Sequence, residues 1–321
     1  LEINNWSDLL LGNGFSINIH DKFSYKSLME VACLSAVNKP LGEVSRSLFK
    51  EYKTDNFEDV LKFIHHSLVV DRCAKLGRSA ELTECYLNVR EALASAVNHA
   101  HISCDNLLGL EKISKCLRSF KRVFTTNYDL IPYWSINAYN VRAFRDFMWG
   151  DEGHFDINNT ELWASVTALY FLHGGLHLYE DIENITRKRR ANNLGSIREL
   201  FDYADLDRVP LIVGEGDSSR KMMRINSNSY LSFCYDAFAK SNSDLLVLGH
   251  SLHADYDKHL VEAIGTSMRK RVAISVWPGM EKDQIISFKA RINESLSRFV
   301  EYIHYFDSTT HPLTSGSINR I

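Results

Sequence analysis

The sequence predicts an α/β fold built on a Rossmann-like, doubly wound and mostly parallel sheet, because short apolar strands alternate with helical segments. The clearest strand is Val123–Asp129 (VFTTNYD), in which the strand formers Val and Phe run into small and polar residues. Leu9–Ser16 (LLLGNGFS) and Tyr170–Gly175 (YFLHGG) have the same shape. In open parallel sheets ligands bind beyond the carboxyl ends of the strands, so we expect these polar ends to line one crevice.

Further strands are predicted in the C-terminal half of the chain. Pro210–Val213, Asp244–Gly249, Val272–Trp277 and Phe299–Phe306 are short apolar runs, and a helix over Tyr230–Ala239 separates the first two. Residues 214–221 follow the first of these strands as a turn, but their spacing is not that of a P-loop. No definite chemistry is assigned to the four charged residues in this turn, which are Glu215, Asp217, Arg220 and Lys221. The two cations, Arg220 and Lys221, either neutralise a phosphate or lie in solvent.

Composition places the chain among ordinary globular proteins. Of its 321 residues 45% are hydrophobic and 24% are charged, and the net charge of -3 indicates no basic field for nucleic acid. No apolar run approaches the length of about 18 residues that a membrane span needs. The 6 cysteines are scattered without a C-x-x-C pair, which argues against a zinc ribbon and favours reduced thiols in a cytoplasmic protein.

The first predicted strand ends in a glycine turn. Leu9–Leu11 run directly into Gly12–Ser16 (GNGFS), and a strand, a tight turn and a helix start in this order bring backbone N–H groups close to a phosphate. A dinucleotide fingerprint would have a third glycine where this chain has Ile17. The pattern therefore does not indicate hydride transfer, and a sharp turn without a ligand is the alternative interpretation.

The chain from about Tyr25 to Phe120 is predicted to be mostly helical. One helix follows the caps at residues 54–56, and a second begins at Ser79. The first carries an apolar face formed by Phe57, Val60, Leu61, Ile64 and Leu68. We interpret residues of about 25–120 as a helical insertion that caps the crevice within a single domain of residues 1–321. Because the adjacent His65 and His66 point in different directions, no shared metal is expected.

Residues of about 130–200 form a second predicted excursion of loop and helical segments, which begins as an irregular stretch rich in aromatic side chains after Asp129. Buried packing is expected for most of the aromatic residues, namely Tyr133, Trp134, Tyr139, Phe144, Phe147 and Trp149. Residues 181–198 contain the basic run Arg187–Arg190. A solvated loop is the simpler interpretation of this run, and a site for an acidic partner or a polynucleotide is the alternative.

Four predicted strand ends supply the chemistry of the crevice: Gly12–Ser16, Thr125–Asp129, His173–Gly174 and Gly249–Ser251. They offer glycine turns for phosphates, an amide, a carboxylate, a histidine and hydroxyls. A nucleophile–base pair in a recognisable context, a metal cluster and paired glutamates are absent from this set. The set suits a nucleotide whose leaving group departs with little covalent help, since positioning and electrostatics then supply most of the rate.

In their order along the chain, these motifs resemble those of sirtuin-like (Sir2-type) NAD-consuming domains. GNGFS, TTNYD, LHGG and LGHSL correspond to the GAG(I/V)S turn, TQN(I/V)D, the catalytic HG and GTSL of sirtuins, over about residues 9–280. The detailed match looks closer to bacterial sirtuin-like effectors of anti-phage defence than to deacylases. Among these effectors, AbiH-type proteins also begin with GNGF.

The resemblance implies a role for each matching residue. Asn127 would bond the nicotinamide ribose or orient the attacking water, and Asp129 would place that ribose or the carboxamide. His173 would be a general base or ribose-hydroxyl partner, a role suited to an imidazole that titrates near neutrality. The remaining residues would surround the cofactor: Gly12, Asn13, Gly14, Phe15 and Ser16 near the pyrophosphate, Thr125, Thr126 and Gly174 beside the catalytic residues, and Gly249, His250 and Ser251 on the adenosine side.

The chain departs from the sirtuin pattern in ways that matter for its activity. The alanine and glutamine of the sirtuin motifs are Asn13 and Thr126 here, which leaves the ribose contacts open. The four zinc cysteines of sirtuin deacetylases are absent, and the zinc module helps to form the acyl-lysine site. Water is then the natural acceptor. The resemblance therefore implies an NAD+ glycohydrolase (an NADase) that makes ADP-ribose and nicotinamide, with NAD+ as substrate and no metal.

An anti-phage (abortive infection) effector of this kind would be kept inactive until triggered, since uncontrolled NAD+ hydrolysis kills the host. Release is expected from homo-oligomerisation, a partner protein or a nucleotide activator, with the helical insertion and residues 181–198 as regulatory surfaces. Two alternatives stay open: a non-catalytic sensor of NAD, ADP-ribose or a related nucleotide, and an NAD-dependent transferase. At the level of single residues, Asn127 could be a helix cap and His173 a core histidine.

Overall fold

The computed structural model of the chain describes residues 6–37, 39–100, 109–139, 141–148, 153–163, 165–181, 183–189, 210–214 and 217–314. The strands are β1 (Asp8–Leu11), β2 (Arg122–Thr125), β3 (Phe144–Arg145), β4 (Thr167–Phe171), β5 (Gly174–Glu180), β6 (Thr186–Lys188), β7 (Pro210–Ile212), β8 (Leu245–Leu248), β9 (Arg271–Val276) and β10 (Tyr302–Asp307). Seven of these strands form one parallel sheet in the order β10-β9-β8-β1-β2-β4-β3. The predicted fold class, an α/β fold with a Rossmann-like parallel sheet, is confirmed.

Strand β1 lies at the centre of this sheet, between β2 and β8. Leu10 is opposite Phe124 on one side and Val247 on the other. Leu9, Leu10 and Leu11 are fully buried, as expected of a central parallel strand that is covered on both faces. The chain adds β2, β4 and β3 on one side of β1, and later β8, β9 and β10 on the other. The strand order therefore reverses at β1, and the crevice at its carboxyl end is a topological switch point.

The helices are α1 (Asn13–Ile19), α2 (Tyr25–Ala32), α3 (Glu43–Tyr52), α4 (Phe57–Ala74), α5 (Ser79–Ala100), α6 (Leu110–Leu117), α7 (Ile131–Tyr139), α8 (Ser218–Asn226), α9 (Ser229–Lys240), α10 (Lys258–Thr266) and α11 (Lys282–Leu296). The predicted helical stretch before β2 is confirmed. Asn56 caps α4 by accepting the N–H of Glu58 at 2.9 Å, and α4 packs against α5. Within the described ranges, no helix is long and apolar enough to cross a membrane.

The expectation of an irregular segment after Asp129 is wrong, because helix α7 begins at Ile131. Asp129 Oδ1 accepts the N–H of Ile131 at 2.9 Å. Pro132 lies in the first turn, where its missing N–H leaves no helical hydrogen bond unmade. The predicted burial of the aromatic side chains is confirmed for Tyr133, Trp134, Phe144 and Phe147. Trp149 and the side chain of Tyr139 lie outside the described part of the chain.

Helix α8 lies where the sequence predicts a turn. Asp217 is its N-cap, and the Asp217 side chain accepts the N–H of Arg220 at 3.0 Å. The Arg220 guanidinium lies over the ring of Tyr86, 5.0 Å from its centroid. The side chains of Asp217 and Arg220 therefore both have partners within the protein. Glu215 lies outside the described residues.

Three strands form a separate antiparallel sheet in the order β6-β5-β7. Strand β4 ends at Phe171, and the turn of Leu172 and His173 leads directly into β5. The sequence pattern does not separate these two strands. Gly174, the first residue of β5, has a φ of 75° and is paired with Ile212 of β7. The strand predicted at residues 210–213 therefore exists, but it lies outside the parallel sheet.

The basic run after residue 186 enters strand β6. Arg187 Nε donates to Asp181 Oδ2 at 2.6 Å, and Lys188 Nζ donates to Asp146 Oδ2 at 2.5 Å. The solvated loop expected here is therefore wrong for this part of the run, because these cations are partly buried and paired with carboxylates of the same chain. Residues 190–198 lie outside the described part of the chain.

A buried ion network ties the amino ends of the central strands to the helices behind them. Asp8 accepts hydrogen bonds from Arg269 Nη1 at 2.7 Å, from Arg122 Nε at 2.8 Å and from Ser241 Oγ at 2.6 Å. The side chains of Asp8 and Arg269 are both 0% exposed. Arg269 also donates to the carbonyl oxygen of Phe238 at 2.7 Å. Removing one member of a buried ion pair of this kind is costly, because the remaining charge is then buried without its partner.

We predict that Asp8→Asn lowers the free energy of unfolding by about 3 kcal/mol, because it leaves the buried Arg269 guanidinium without its carboxylate. Urea denaturation followed by circular dichroism measures the change. The matched control is Asp236→Asn, which breaks the exposed pair with Lys240 and should cost no more than about 0.5 kcal/mol. Equal losses for the two variants would contradict the assignment.

Candidate functional site

A cavity of about 380 Å³ lies at the carboxyl ends of β1, β2, β4 and β8. Its polar wall consists of the turns that follow these strands, and residues on α2, α4 and α5 form the facing wall. The residues that line it are Asn13, Gly14, Ile17, Phe23, Tyr25, Leu28, Asn56, Glu58, Leu93, Val97, Thr126, Asn127, Tyr128, Asp129, His173, Lys221, Gly249, His250, Ser251, His253, Tyr256 and Asp257. Residues of the predicted insertion thus border the crevice, while the division of the chain into one domain with an insertion stays a prediction.

The glycine turn after β1 packs directly against the turn after β8. The N–H of Gly12 donates to Leu248 O at 2.9 Å, and the N–H of Gly14 donates to Gly249 O at 2.8 Å. A Cβ on Gly12 would lie 2.6 Å from Gly249 O, and a Cβ on Gly249 would lie 2.4 Å from the backbone nitrogen of Phe15. Glycine is therefore required on both sides of this contact, since no side-chain movement relieves a clash with backbone.

The same contact occupies backbone groups that the sequence assigned to a phosphate. The N–H groups of Gly12 and Gly14 are bonded across the two turns, and the N–H of Phe15 donates to Gly12 O at 3.0 Å. In this conformation the three groups point at carbonyl oxygens of the protein. The observed role of the glycine turn is to bring two strand ends together.

Asn127 is held at the cavity wall by three hydrogen bonds. Its backbone N–H donates to Thr125 Oγ1 at 3.1 Å, and its Nδ2 donates to Gly12 O at 3.1 Å and to Ser16 Oγ at 2.8 Å. Since the carbonyl of Gly12 can only accept, the amide orientation is determined by this contact. Asn127 is 4% exposed, and its Oδ1 has no hydrogen-bond partner among the residues that the structure describes. An unpaired buried acceptor is costly, so a donor on a ligand would be bound favourably here.

Asp129 is satisfied by the protein on both oxygens. Its Oδ2 accepts from Ser16 Oγ at 2.5 Å, and its Oδ1 accepts the N–H that begins α7. Burial raises the pKa of this carboxyl, although the hydrogen bond from Ser16 acts in the opposite direction. Asn127, Ser16 and Asp129 thus form one hydrogen-bonded chain. The observed role of Asp129 is to hold Ser16 and to cap α7, beside the cavity that it also lines.

His173 occupies the turn between β4 and β5 and is 3% exposed. Its Nε2 lies 3.0 Å from Nε2 of His259. Burial lowers the pKa of His173 well below its ordinary value, and the positive charge of Lys221 and the neighbouring His259 lower it further. The expectation of an imidazole that titrates near neutrality is therefore wrong. His173 is neutral at pH 7, and a neutral ring can accept a proton or a hydrogen bond on one nitrogen.

The predicted site residues form two layers in the structure. The layer that lines the cavity contains Asn13, Gly14, Thr126, Asn127, Asp129, His173, Gly249, His250 and Ser251. The layer behind it contains Gly12, Phe15, Ser16, Thr125 and Gly174. Of these, Phe15 is a core residue with 0% exposure, and a Cβ on Gly174 would lie 2.0 Å from Leu211 O, so Gly174 allows β5 and β7 to approach.

Lys221 is a cavity residue to which the sequence assigned no definite role. It is 1% exposed, and its Nζ donates to Glu58 Oε1 at 2.7 Å and to Asp257 Oδ1 at 3.3 Å. Although burial disfavours its charge, these two carboxylates raise the pKa of Lys221. The cluster joins α4, α8 and the N-cap of α10, which are far apart in the sequence. No sequence pattern identifies it, since none of its members lies in a shared motif.

His259 is the second residue that sequence reasoning missed. It lies on α10, and its Nδ1 is 2.9 Å from Ser218 Oγ. Burial lowers its pKa to about 3, with Lys221 as the next contribution. Its position three residues after Tyr256 carried no signal, because a buried helical histidine is indistinguishable in sequence from a surface one. Among the described residues, no three His, Cys, Asp or Glu side chains are placed to hold a metal ion.

Comparisons with known proteins identify a family. The family model described as "Domain of unknown function (DUF4917)" matches residues 9–313. The chain belongs to this family. No curated protein matches it. One similar solved structure, described as "Structural Basis for the Mechanism and Regulation of Sir2 Enzymes", has 13% sequence identity and a TM-score of 0.36, over 92% of this chain and 94% of that chain. At that TM-score the likeness transfers neither a site nor an activity.

We predict that Gly249→Ala destabilises the DUF4917 chain far more than Gly77→Ala. Both glycines have positive φ, 69° and 75°, but a Cβ at Gly77 has nothing within 4 Å. Gly77→Ala should therefore cost only the strain of the left-handed conformation, about 1–2 kcal/mol, whereas Gly249→Ala adds the clash between the two turns. Urea unfolding measures both values. Equal losses would show that the contact between the turns does not limit stability.

We also predict that acid destabilises the fold before its carboxylates titrate. Burial lowers the pKa values of His259 and His177 to about 3, whereas in the unfolded chain histidine titrates near about 6.5. Below that pH the unfolded state binds more protons, so stability falls as the pH decreases towards 3, by up to about 1.4 kcal/mol per unit for each histidine. Urea unfolding between about pH 7.5 and about pH 5.5 checks the slope. His259→Gln should reduce the slope without abolishing it, since His177 still titrates, and a pH-independent wild type would contradict the prediction.

Proposed function

We propose that this chain is an NAD+ glycohydrolase, which cleaves NAD+ to ADP-ribose and nicotinamide. The observation that carries the proposal is the unpaired Oδ1 of Asn127, a buried acceptor in the wall of a cavity at the switch point of the sheet. His173, a neutral imidazole, lines the same cavity. The resemblance of the strand-end motifs to those of sirtuin-like NAD-consuming domains supports NAD+ as the ligand.

The proposed reaction breaks the bond between C1′ of the ribose and the nicotinamide nitrogen. The electron pair of that bond returns to the nicotinamide ring and cancels its positive charge, so the leaving group needs no proton. The ribose passes through an oxocarbenium-like state, in which positioned dipoles stabilise the charge. Asn127 Oδ1 would accept a hydrogen bond from a ribose hydroxyl or from the water that attacks C1′.

Water then forms the new C1′–O bond and loses one proton. In this proposal His173 bonds the ribose hydroxyl or takes that proton, for which its neutral form is the competent one. Apolar residues such as Leu28, Leu93 and Val97 on the facing wall would limit the entry of other water molecules. The sequence lacks the four zinc cysteines of sirtuin deacetylases, whose zinc module helps to form the acyl-lysine site, so water is the acceptor in this proposal.

The biological part of the proposal is an effector of anti-phage (abortive infection) defence in the cytoplasm. It is supported by the GNGFS motif and its resemblance to sirtuin-like defence proteins. Such an effector needs a repressed resting state and a trigger, either assembly of several copies, a partner protein or a nucleotide. The cavity itself offers the surface for repression, because helices α2, α4 and α5 border it and any shift of these helices changes its volume.

A second candidate function is a sensor that binds NAD, ADP-ribose or a related nucleotide without cleaving it. One observation favours it: both oxygens of Asp129 and the N–H groups of Gly12, Gly14 and Phe15 already have partners within the protein. A site with few free polar groups offers few interactions that are stronger with a transition state than with the bound nucleotide, so it suits binding better than cleavage. The transferase alternative has no such observation in its favour.

We predict that Asn127→Ala and His173→Ala each reduce nicotinamide release from etheno-NAD by at least about 100-fold while the fold is retained. Fluorescence follows the cleavage, chromatography measures nicotinamide, and circular dichroism checks the fold. Matched controls are Asn226→Ala and His66→Ala, which change the same residue types at exposed positions and should keep wild-type rates.

The assay covers a range of protein concentrations, since assembly is one of the expected triggers. Turnover that survives both substitutions would contradict the proposed roles. Tight binding of NAD+ by calorimetry with no turnover at any concentration would favour the sensor. Nicotinamide release that requires an added macromolecular acceptor would identify a transferase.

A further inference from the structure

A row of three side chains runs from the cavity wall into the protein. Nε2 of His173 is 3.0 Å from Nε2 of His259, and Nδ1 of His259 is 2.9 Å from Oγ of Ser218. His259 is 1% exposed and Ser218 is 8% exposed, so both are shielded from bulk water. The three residues come from the β4–β5 turn, from α10 and from the first position of α8.

Backbone contacts hold the inner two members of the row in place. The N–H of His259 donates to Ser218 Oγ at 2.7 Å, so the serine oxygen bonds both the backbone and the ring of one residue. The hydroxyl of Tyr235 donates to the carbonyl oxygen of His259 at 3.0 Å. The ring of His259 therefore has little freedom to turn away from His173.

The direction of the hydrogen bonds along this row follows from the bonds that the hydroxyl of Ser218 can make. Its oxygen accepts the backbone N–H of His259, and its single hydrogen remains to be donated. In the part of the chain that the structure describes, the acceptor within reach of that hydrogen is Nδ1 of His259. His259 then carries its proton on Nε2 and donates it to Nε2 of His173, because only one proton fits between the two nitrogens. His173 in turn carries its proton on Nδ1, the ring nitrogen that is left for a ligand.

The opposite direction is less favourable. It would place the protons on Nε2 of His173 and Nδ1 of His259, and the serine oxygen would accept twice while its own hydrogen stayed unpaired. A lost hydrogen bond of this kind costs about 1 kcal/mol, which corresponds to a roughly fivefold preference for the first arrangement. The charge of Lys221 nearby disfavours a third arrangement, in which the pair of rings holds an extra proton.

We propose that Ser218 and His259 are positioning residues that hold His173 as the Nδ1–H tautomer, so that the resting cavity offers a hydrogen-bond donor and not a base at this position. The donor suits an acceptor oxygen of a bound nucleotide, such as a ribose hydroxyl or a phosphate. The consequence of this tautomer for catalysis rests on the proposed function. If the chain hydrolyses NAD+, a base at His173 becomes available only after the tautomer reverses.

The reversal conserves protons. The proton between the two rings moves from His259 Nε2 to His173 Nε2, and the proton on His173 Nδ1 leaves to water in the cavity. Nδ1 of His259 takes the hydroxyl proton of Ser218 as the serine oxygen takes up a proton from solvent, which reaches it through the 8% of Ser218 that is exposed. Each ring again holds one proton, and His173 Nδ1 now has the free electron pair that accepts a proton from water or from a ribose hydroxyl.

Two substitutions at Ser218 test whether its hydrogen bond determines the tautomer of His173. Ser218→Asp provides a carboxylate, which only accepts, so His259 must donate from Nδ1 and the whole row reverses. Its position at the start of α8 is favourable for an acid, because the helix N-terminus is positive. Ser218→Ala removes the donor without adding an acceptor, so His173 should populate both tautomers. The matched control is Ser229→Asp, which introduces the same acid at the exposed first residue of α9.

Long-range ¹H–¹⁵N NMR of the histidine rings in the full chain reads the tautomers directly, with His173→Gln and His259→Gln for assignment. The expected wild-type result is Nδ1–H for His173 and Nε2–H for His259. Ser218→Asp should show both reversed, and Ser229→Asp should match the wild type. Nε2–H for His173 in the wild type would overturn the inference, as would unchanged tautomers in a folded Ser218→Asp. If Ser218→Asp does not fold, the wild-type spectrum and Ser218→Ala still decide.

The rate of nicotinamide release distinguishes this inference from the proposed function. If the chain hydrolyses NAD+ through a base at His173, Ser218→Asp should raise kcat by up to about fivefold, because the base that is the minor tautomer in the wild type is already formed. KM should rise at the same time, because His173 no longer offers a donor to the bound nucleotide. Reversed tautomers without any turnover would support the tautomer inference and count against the hydrolase. Faster turnover with wild-type tautomers would overturn the inference and leave the hydrolase standing.

Discussion

The close contact between two backbone turns is the constraint on which the site depends. Gly12 and Gly14 after β1 lie against Gly249 after β8, with an N–H to carbonyl bond of 2.8 Å between Gly14 and Gly249. Side chains larger than hydrogen have no room there. Because the contact holds the carbonyl of Gly12 in place, Asn127 can donate to it at 3.1 Å, and the third strand end is thereby positioned as well. The cavity exists where these turns meet at the switch point of the sheet.

Several polar groups around the cavity are paired within the protein, so the groups that are not paired determine what the site can recognise. Asp129, Ser16 and the glycine N–H groups are satisfied internally, and Lys221 is neutralised by two carboxylates. Among the described residues, two groups that remain for a ligand are the unpaired Oδ1 of Asn127 and Nδ1 of His173. An acceptor and a donor on rigid elements suit the closely spaced hydroxyls of a ribose.

The sequence predicted the parallel sheet, the helices before β2 and the meeting of four strand ends, because each of these depends on local patterns. Apolar runs such as Leu9–Leu11 identify central strands whatever surrounds them. Helix α7 escaped prediction because its signals, a capping Asp129 and Pro132, lie in a stretch whose aromatic residues have no helical period. The antiparallel sheet of β5, β6 and β7 also escaped prediction. The pairing of β5 with β7 spans more than thirty residues and has no local signature, and β6 is formed by the basic run that was expected to be a solvated loop.

The sequence by itself determined which chemical groups lie at the strand ends and in which order, and this was enough to name Asn127 and His173 as candidate site residues, both of which line the cavity. Only the tertiary structure decided what state those groups are in. The depressed pKa of His173, its contact with His259 and the pairing of Lys221 with Glu58 and Asp257 all arise from burial and from neighbours on distant helices. Desolvation and hydrogen-bond direction are properties of packed side chains, so they have no counterpart in the order of residues along the chain.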